Sequence, residues 1–313
     1  MSLDIVFVLF GLIFFEAISS LDNAVINADV LRTMSARARR WFLLWGIIVA
    51  VFIVRGLLPT VIVWATSPSL GPVGSFFATF SSDPAVSTIV EKSKPVLLIG
   101  AGVYLFLLFL HWLFDEKKEY AFFLERFIHR QAIWFYTVAS ILLALLIWLA
   151  VHANPLMAFS AAVGSTGFFL ASGFKKGAEE QERKVLGSAA SDVSKILYLE
   201  MLDASFSVDG VLGAFAFTVS VPLILLGNGI GAFMVRYFTV KGIERVRRYR
   251  YLKNGAMYSV GMLGLLMIFE SFGEEVAAWI PPLNTFVIVG LFFVLSRRAL
   301  KQIELVELQR GGS

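Results

Sequence analysis

The sequence predicts an all-α fold, a polytopic transmembrane helical bundle of about nine spans built as an inverted structural repeat. Three observations predict it. Of the 313 residues, 58% are apolar and only 16% charged, whereas a soluble domain carries about 25% charged residues. Nine stretches are apolar over the roughly 20 residues that a bilayer crossing requires. One acidic motif occurs twice, in stretches that the loop charges orient in opposite directions.

The elements follow in order. The first stretch, 4–27, reads as a retained helix and not a signal peptide: Asp4 stands where a basic start belongs, and acidic residues interrupt the apolar run. Further spans are expected at 41–65, 95–114, 132–153, 155–174, 195–216, 219–238, 254–272 and 283–299. The segment 155–174 is rich in Gly, Ser and Ala, a composition that also suits a re-entrant segment. Of the 27 Lys and Arg residues, all but Arg55, Lys92, Lys94 and Arg236 fall in alternate connections or after the last span. Positive-inside sorting then places the N-terminus outside and the C-terminus in the cytoplasm. Tyr120 to Ile128 reads as an amphipathic helix at the inner interface, and the Ser-, Pro- and Gly-rich stretch from Ser67 to Pro95 as a long outer loop. The chain divides into a first repeat unit (1–131), connecting helices with a cytoplasmic loop (132–194) and a second, inverted unit (195–313).

The repeat is visible in register. Glu16-Ala-Ile-Ser-Ser20-Leu-Asp22-Asn23 in the first span matches Asp203-Ala-Ser-Phe-Ser207-Val-Asp209-Gly210 in the sixth. Leu97-x-x-Gly100-Ala101 likewise matches Leu252-x-x-Gly255-Ala256, and fourteen residues after each Gly stands Phe114-Asp115 or Phe269-Glu270. One arginine also sits in the second span of each half, Arg55 and Arg236. The first span runs outside to inside and the sixth inside to outside, so the halves are inverted, a plan common among transporters with a midplane site.

Ionised carboxylates inside a bilayer are costly and face a bundle interior or a watery cavity. Glu16, Asp22, Asp203 and Asp209 fall well inside two apolar spans, and Glu200 lies nearer the cytoplasmic start of the sixth. A bound cation is the simplest compensation. The competing reading is buried ion pairing with Arg55 and Arg236, which leaves four acids against two arginines. At 3.6 residues per turn, Glu16, Ser20 and Asn23 share a face, as do Asp203 and Ser207, while the second acid of each motif lies about 120° away. Convergence on one ion therefore requires unwinding near Ser20–Asn23 and near Ser207–Gly210. Oxygen-only donors suit Mn²⁺, Mg²⁺ or Ca²⁺. With no cysteine, disulfides, zinc–thiolate sites and cysteine nucleophiles are excluded. His111, His129 and His152 fall near the interfaces and are set aside as ligands. Gly227-Asn228-Gly229-Ile230-Gly231 follows no strand, so it reads as close helix packing and not a nucleotide loop.

At the two acidic motifs the sequence resembles the TerC family of bacterial membrane proteins, related to the LysE-like exporters, and especially a longer branch catalogued as a domain of unknown function. The resemblance implies a metal-ion exporter, with Mn²⁺ efflux and tellurium resistance as family associations. It implies a metal site of Glu16, Asp22, Asn23, Asp203, Ser207 and Asp209, to which Ser20 and Glu200 are added as further metal or pathway residues. Arg55 and Arg236 are expected to act as gating counter-charges. The expected function is divalent-cation export, Mn²⁺ first, in exchange for protons, with other divalent cations as alternative cargo and no enzymatic activity. Membrane lipids and the ion are the expected partners, not nucleic acid. A second reading is a non-transporting partner that supplies metal to, or stabilises, proteins leaving through the translocon. An intramembrane aspartyl protease using Asp22 and Asp209 is disfavoured, because neither sits in a Gly-x-Gly-Asp context.

Overall fold

The computed structural model describes residues 3–46, 48, 56–57, 60–61, 64, 70–80, 84–116, 120, 122–187, 191–241, 246 and 248–311. Among these residues the chain is all helical, without strands. The helices are α1 (Leu3–Ser19), α2 (Leu21–Arg32), α3 (Ala36–Trp41), α4 (Gly71–Phe80), α5 (Pro84–Phe114), α6 (Phe123–His129), α7 (Phe135–Ala153), α8 (Pro155–Gly187), α9 (Asp192–Ala214), α10 (Val221–Lys241), α11 (Leu252–Ser271) and α12 (Ile280–Gly311). A π-helical turn, Phe42–Gly46, continues α3. Most of the expected span 41–65, including Arg55, lies outside the described residues.

Among the described residues, five helical stretches are long and apolar enough to cross a membrane: Ser93–Phe114, Ala132–Ala153, Pro155–Gly177, Leu252–Ser271 and Ile280–Gln302. The pair Leu3–Ser19 and Asn23–Arg32, bent by 55°, makes a sixth when counted as one span. Segment 155–174 is a continuous part of α8, not a re-entrant turn. Pro155 starts α8 where its missing N–H is harmless, and the Asn154 side chain accepts the Leu156 N–H at 2.9 Å. The stretch at 195–216 forms α9, whose Lys195, Glu200, Asp203 and Asp209 make it too charged to qualify by composition alone.

The two helices that carry the matched Gly-Ala motifs, α5 and α11, pack against each other antiparallel. They touch at glycines: a Cβ at Gly102 would stand 2.9 Å from the Gly264 carbonyl oxygen. Lys94 pairs with Glu270 at 2.5 Å at one end, and Lys253 pairs with Glu116 at the other. Helix α5 is innermost, 78% of its spanning window being buried, with α8 against it at Gly100 and Gly164. Helix α7 is 11% buried and turns Ile141, Leu145 and Trp148 outward, as a lipid-facing helix does.

Helices α1 and α10 run parallel and in contact, Leu12 against Gly227 and Glu16 against Gly231. The expected break after the first motif is a bend, not an unwound stretch. Ser20 leaves helical geometry (φ −88°, ψ 6°), yet its N–H reaches the Glu16 carbonyl at 3.1 Å and its own carbonyl accepts from Ala24 at 2.9 Å. The break expected at Ser207–Gly210 does not occur: α9 is continuous from Asp192 to Ala214. At its start, Asp192 accepts from Ser35 Oγ at 2.5 Å and Ser35 N at 3.2 Å. Those bonds, the hydroxyl's foremost, hold this exposed carboxyl below the usual carboxylate range.

Candidate cation site

Asp203 is the centre of a buried polar cluster made by α2, α9, α10 and the turn after α3. Its Oδ1 accepts from Asn23 Nδ2 at 2.6 Å and Asn27 Nδ2 at 2.9 Å. Its Oδ2 pairs with Arg236 Nη2. The two asparagines are four residues apart, so the α2 helix presents both from one face. Each keeps a buried Oδ1 that has no hydrogen-bond partner. Asn27 was not singled out from the sequence; its place one turn beyond Asn23 is the signal that would have found it.

Arg236 is itself almost wholly buried. Its Nη1 donates to the Phe42 carbonyl at 2.6 Å, and its Cζ lies 4.3 Å from the centre of the Phe42 ring. That carbonyl belongs to the first residue of the π-helical turn Phe42–Gly46. Arg236 is thus a counter-charge within the core and not an interfacial anchor. Glu200, one turn before Asp203 on α9, keeps both carboxylate oxygens buried without a hydrogen-bond partner. A Cβ at Gly46 would touch Glu200 Oε1 and lie 2.8 Å from Arg236 Nη1. The carboxylate and the guanidinium therefore share a gap that only glycine leaves open.

The first motif lies beside this cluster. Glu16 is fully buried and accepts from Ser20 Oγ at 2.8 Å. Its stem packs on Gly231, five residues and so about 7.5 Å of helix rise from Arg236 along α10. Ser207 is fully buried and donates to the Asp203 carbonyl at 2.6 Å, so its hydroxyl serves the helix backbone. Asn228, fully buried on the same face of α10 as Gly231, donates to the Gly210 carbonyl at 3.4 Å and leaves its own Oδ1 without a hydrogen-bond partner. The glycine-rich segment is close packing, as expected, and it also carries this polar group. On the side away from Arg236 the cluster ends at an apolar layer: Leu12, Phe15 and Phe217 are buried, with the two phenylalanine rings 5.5 Å apart and Gly213 against Phe15.

Asp209 is not part of this cluster. Six residues on from Asp203 in an unbroken helix, it faces another way. Its Oδ1 accepts from Tyr104 Oη and its Oδ2 from Lys175 Nζ, each at 2.5 Å. Convergence of both α9 acids on one ion is corrected on this point. Lys175, read from the sequence as a loop cation, extends from α8 into the bundle, so the expected excess of four acids over two arginines was overstated. The Asp22 side chain and Arg55 lie outside the described residues. Among the described residues, no group of three or more His, Cys, Asp or Glu side chains is placed to hold a metal ion.

The comparisons agree with a membrane protein. An uncharacterized membrane protein, YceF, of Bacillus subtilis (strain 168) is 30% identical over 80 residues, covering 26% of this chain and 31% of that protein. The chain thus spans about a third of the length of that curated relative. No solved structure matches. Residues 21–302 match the family described as "Protein of unknown function (DUF475)", a region that begins just after Ser20 and takes in Asn23, Asn27, Glu200, Asp203 and Arg236. The chain belongs to the DUF475 family.

Proposed function

We propose that this protein exports a divalent metal ion, with Mn²⁺ as the cargo and protons as the counter-flow, across the bacterial inner membrane. The observation that carries the reading is the buried shell at Asp203. Asn23 and Asn27 on this carboxylate, and Glu200 one turn before it, each keep buried oxygen without a hydrogen-bond partner, and a positive charge, Arg236, already rests on the carboxylate. Buried acceptor oxygens without donors are unfavourable unless something positive meets them. Hard oxygen donors suit Mn²⁺ over zinc or copper, and Mn²⁺ sheds its water more readily than Mg²⁺. The resemblance to TerC proteins points to the same cargo.

The reading includes the inverted-repeat, nine-span plan expected from the sequence. The repeat-equivalent helices α5 and α11 cross antiparallel at Gly102 and Gly264. Helices α1–α2 and α9, which carry the two acidic motifs, also meet antiparallel, Phe15 near Gly213 and Asn23 on Asp203. A two-fold axis in the membrane plane would relate helices in this way.

The test is Mn²⁺ flux into proteoliposomes read with a metal-sensitive and a pH-sensitive dye. Wild-type protein should move Mn²⁺ against protons, and Asp203→Asn should abolish the flux. Removing one partner of a buried ion pair costs about 3–5 kcal/mol when nothing replaces it, so Asp203→Glu serves as the folding control. Wild-type protein that moves no Mn²⁺, or Asp203→Asn with full flux, sinks the reading. The non-transporting partner is then favoured by the observation that Arg236 and Lys175 already neutralise both α9 acids.

A further inference from the structure

We infer that Arg236 is a tethered competitor for the cargo, and that Glu200 is the second seat onto which it swings when a cation takes Asp203. The inference rests on the cargo reading for its trigger, but the exchange itself is a property of three side chains. Asp203 Oδ1 is committed to the amides of Asn23 and Asn27. The oxygen that a cation must reach is Oδ2, and Arg236 Nη2 covers it. Entry of a cation therefore requires the guanidinium to leave.

A buried guanidinium cannot leave a carboxylate without large cost unless another is in reach. Glu200 meets that need. It lies three residues before Asp203, on the same face of α9, and both its oxygens are buried without a hydrogen-bond partner. It opens on the Gly46 gap, where Arg236 Nη1 also lies. The Phe42 carbonyl and ring hold the guanidinium at its Nη1 side. Rotation about that pivot transfers the guanidinium from Asp203 to Glu200 without displacing a helix. A planar fork with five donors bonds two acceptors at once and suits such a hand-over better than a lysine would. Glycine at 46 keeps the path open, because any side chain there would fill the space between the two groups.

Two measurements test the inference on full-length protein in detergent. The first uses no divalent metal. With chelator present, wild type, Asp203→Asn, Glu200→Gln and the double variant are unfolded thermally. Glu200→Gln should leave the wild-type midpoint unchanged or raise it, since Glu200 lacks a hydrogen-bond donor there. In the Asp203→Asn background, where Arg236 has moved to Glu200, the same substitution should lower the midpoint by several degrees. An equal effect in both backgrounds overturns the exchange. The second titrates Mn²⁺ alone by calorimetry. Arg236→Gln should tighten binding and Glu200→Gln weaken it, each about tenfold, while in the Arg236→Gln background Glu200→Gln should cost less than about twofold, as coupled neighbours behave. Gly46→Ala, which keeps both charges and fills the gap, should mimic Glu200→Gln. Equal weakening by Glu200→Gln in both backgrounds makes Glu200 a direct ligand and overturns the exchange. Thermal coupling without any Mn²⁺ binding by wild type supports the exchange and overturns the cargo reading, so the two fail separately.

Discussion

Asn23 and Asn27 both direct an amide donor to one oxygen of Asp203, so each carbonyl oxygen points elsewhere in a buried space. Half of this arrangement was legible in the sequence. A carboxylate inside an apolar span has few ways to be stable, which identified Asp203, while Asn23 was legible from the helix face it shares with Glu16 and Ser20. Lys175 was not legible. It follows a span, where lysines usually mark a cytoplasmic loop, and only the length of α8 and its packing on α5 show that it reaches Asp209. At the exposed start of α9, Asp192 offers a pH test. Its carboxyl is held below its ordinary value by Ser35, so the tie stabilises the fold above the unfolded carboxylate pKa of about 4 and is lost as pH falls through the lower folded value. The difference in thermal midpoint between wild type and Asp192→Asn should persist from neutral pH down to about 4 and fade below it. A difference that stays constant through acid would show that the charge of Asp192 contributes nothing.

At the scale of elements, glycine seams decide which helices can meet. Gly264 has the Phe106 N and the Gly102 O within 3.0 Å of where a Cβ would stand, and both are backbone atoms that cannot rotate aside. Gly264→Ala should therefore force α5 and α11 apart, costing about 1–3 kcal/mol as overpacked sites do, whereas Gly290→Ala, which meets nothing within 4 Å, should be neutral or slightly stabilising. Equal thermal midpoints for the two variants would remove the seam from the account. Five of the expected apolar spans were legible from length and composition, and so was the place, near Ser20, of a departure from a straight helix, though it is a bend and not the unwinding expected. The unbroken α9 was not. Unwinding was expected in order to turn Asp209 toward Asp203; instead separate cations come to the two acids from two sides, Arg236 from α10 and Lys175 from α8. Tertiary partners removed the need for an irregular backbone.

For the whole molecule, the loop charges predict an orientation that the absence of cysteine makes easy to test. Single cysteines at Ala153, Ser191 and Glu274, all exposed positions between helices or at their ends, would be treated in intact cells with an impermeant thiol reagent. Labelling at 153 and 274 but not at 191 is the expected pattern. Reaction at 191 from outside would invert the second half and remove the proposed repeat.

The dry layer of Leu12, Phe15 and Phe217 has an electrical consequence. A transmembrane voltage does not fall evenly across a protein; it falls mostly where the material is least polarisable, as a capacitor's does across its insulator. The Asp203 cluster is polar and charged, hence more polarisable than the aromatic layer, so a larger share of the voltage drops across that layer. Crossing that layer is worth about 2.3 kcal/mol per elementary charge per 100 mV, and a divalent ion carries two. Under the proposed export, the voltage-sensitive step lies at Phe15 and Phe217 and not at Asp203.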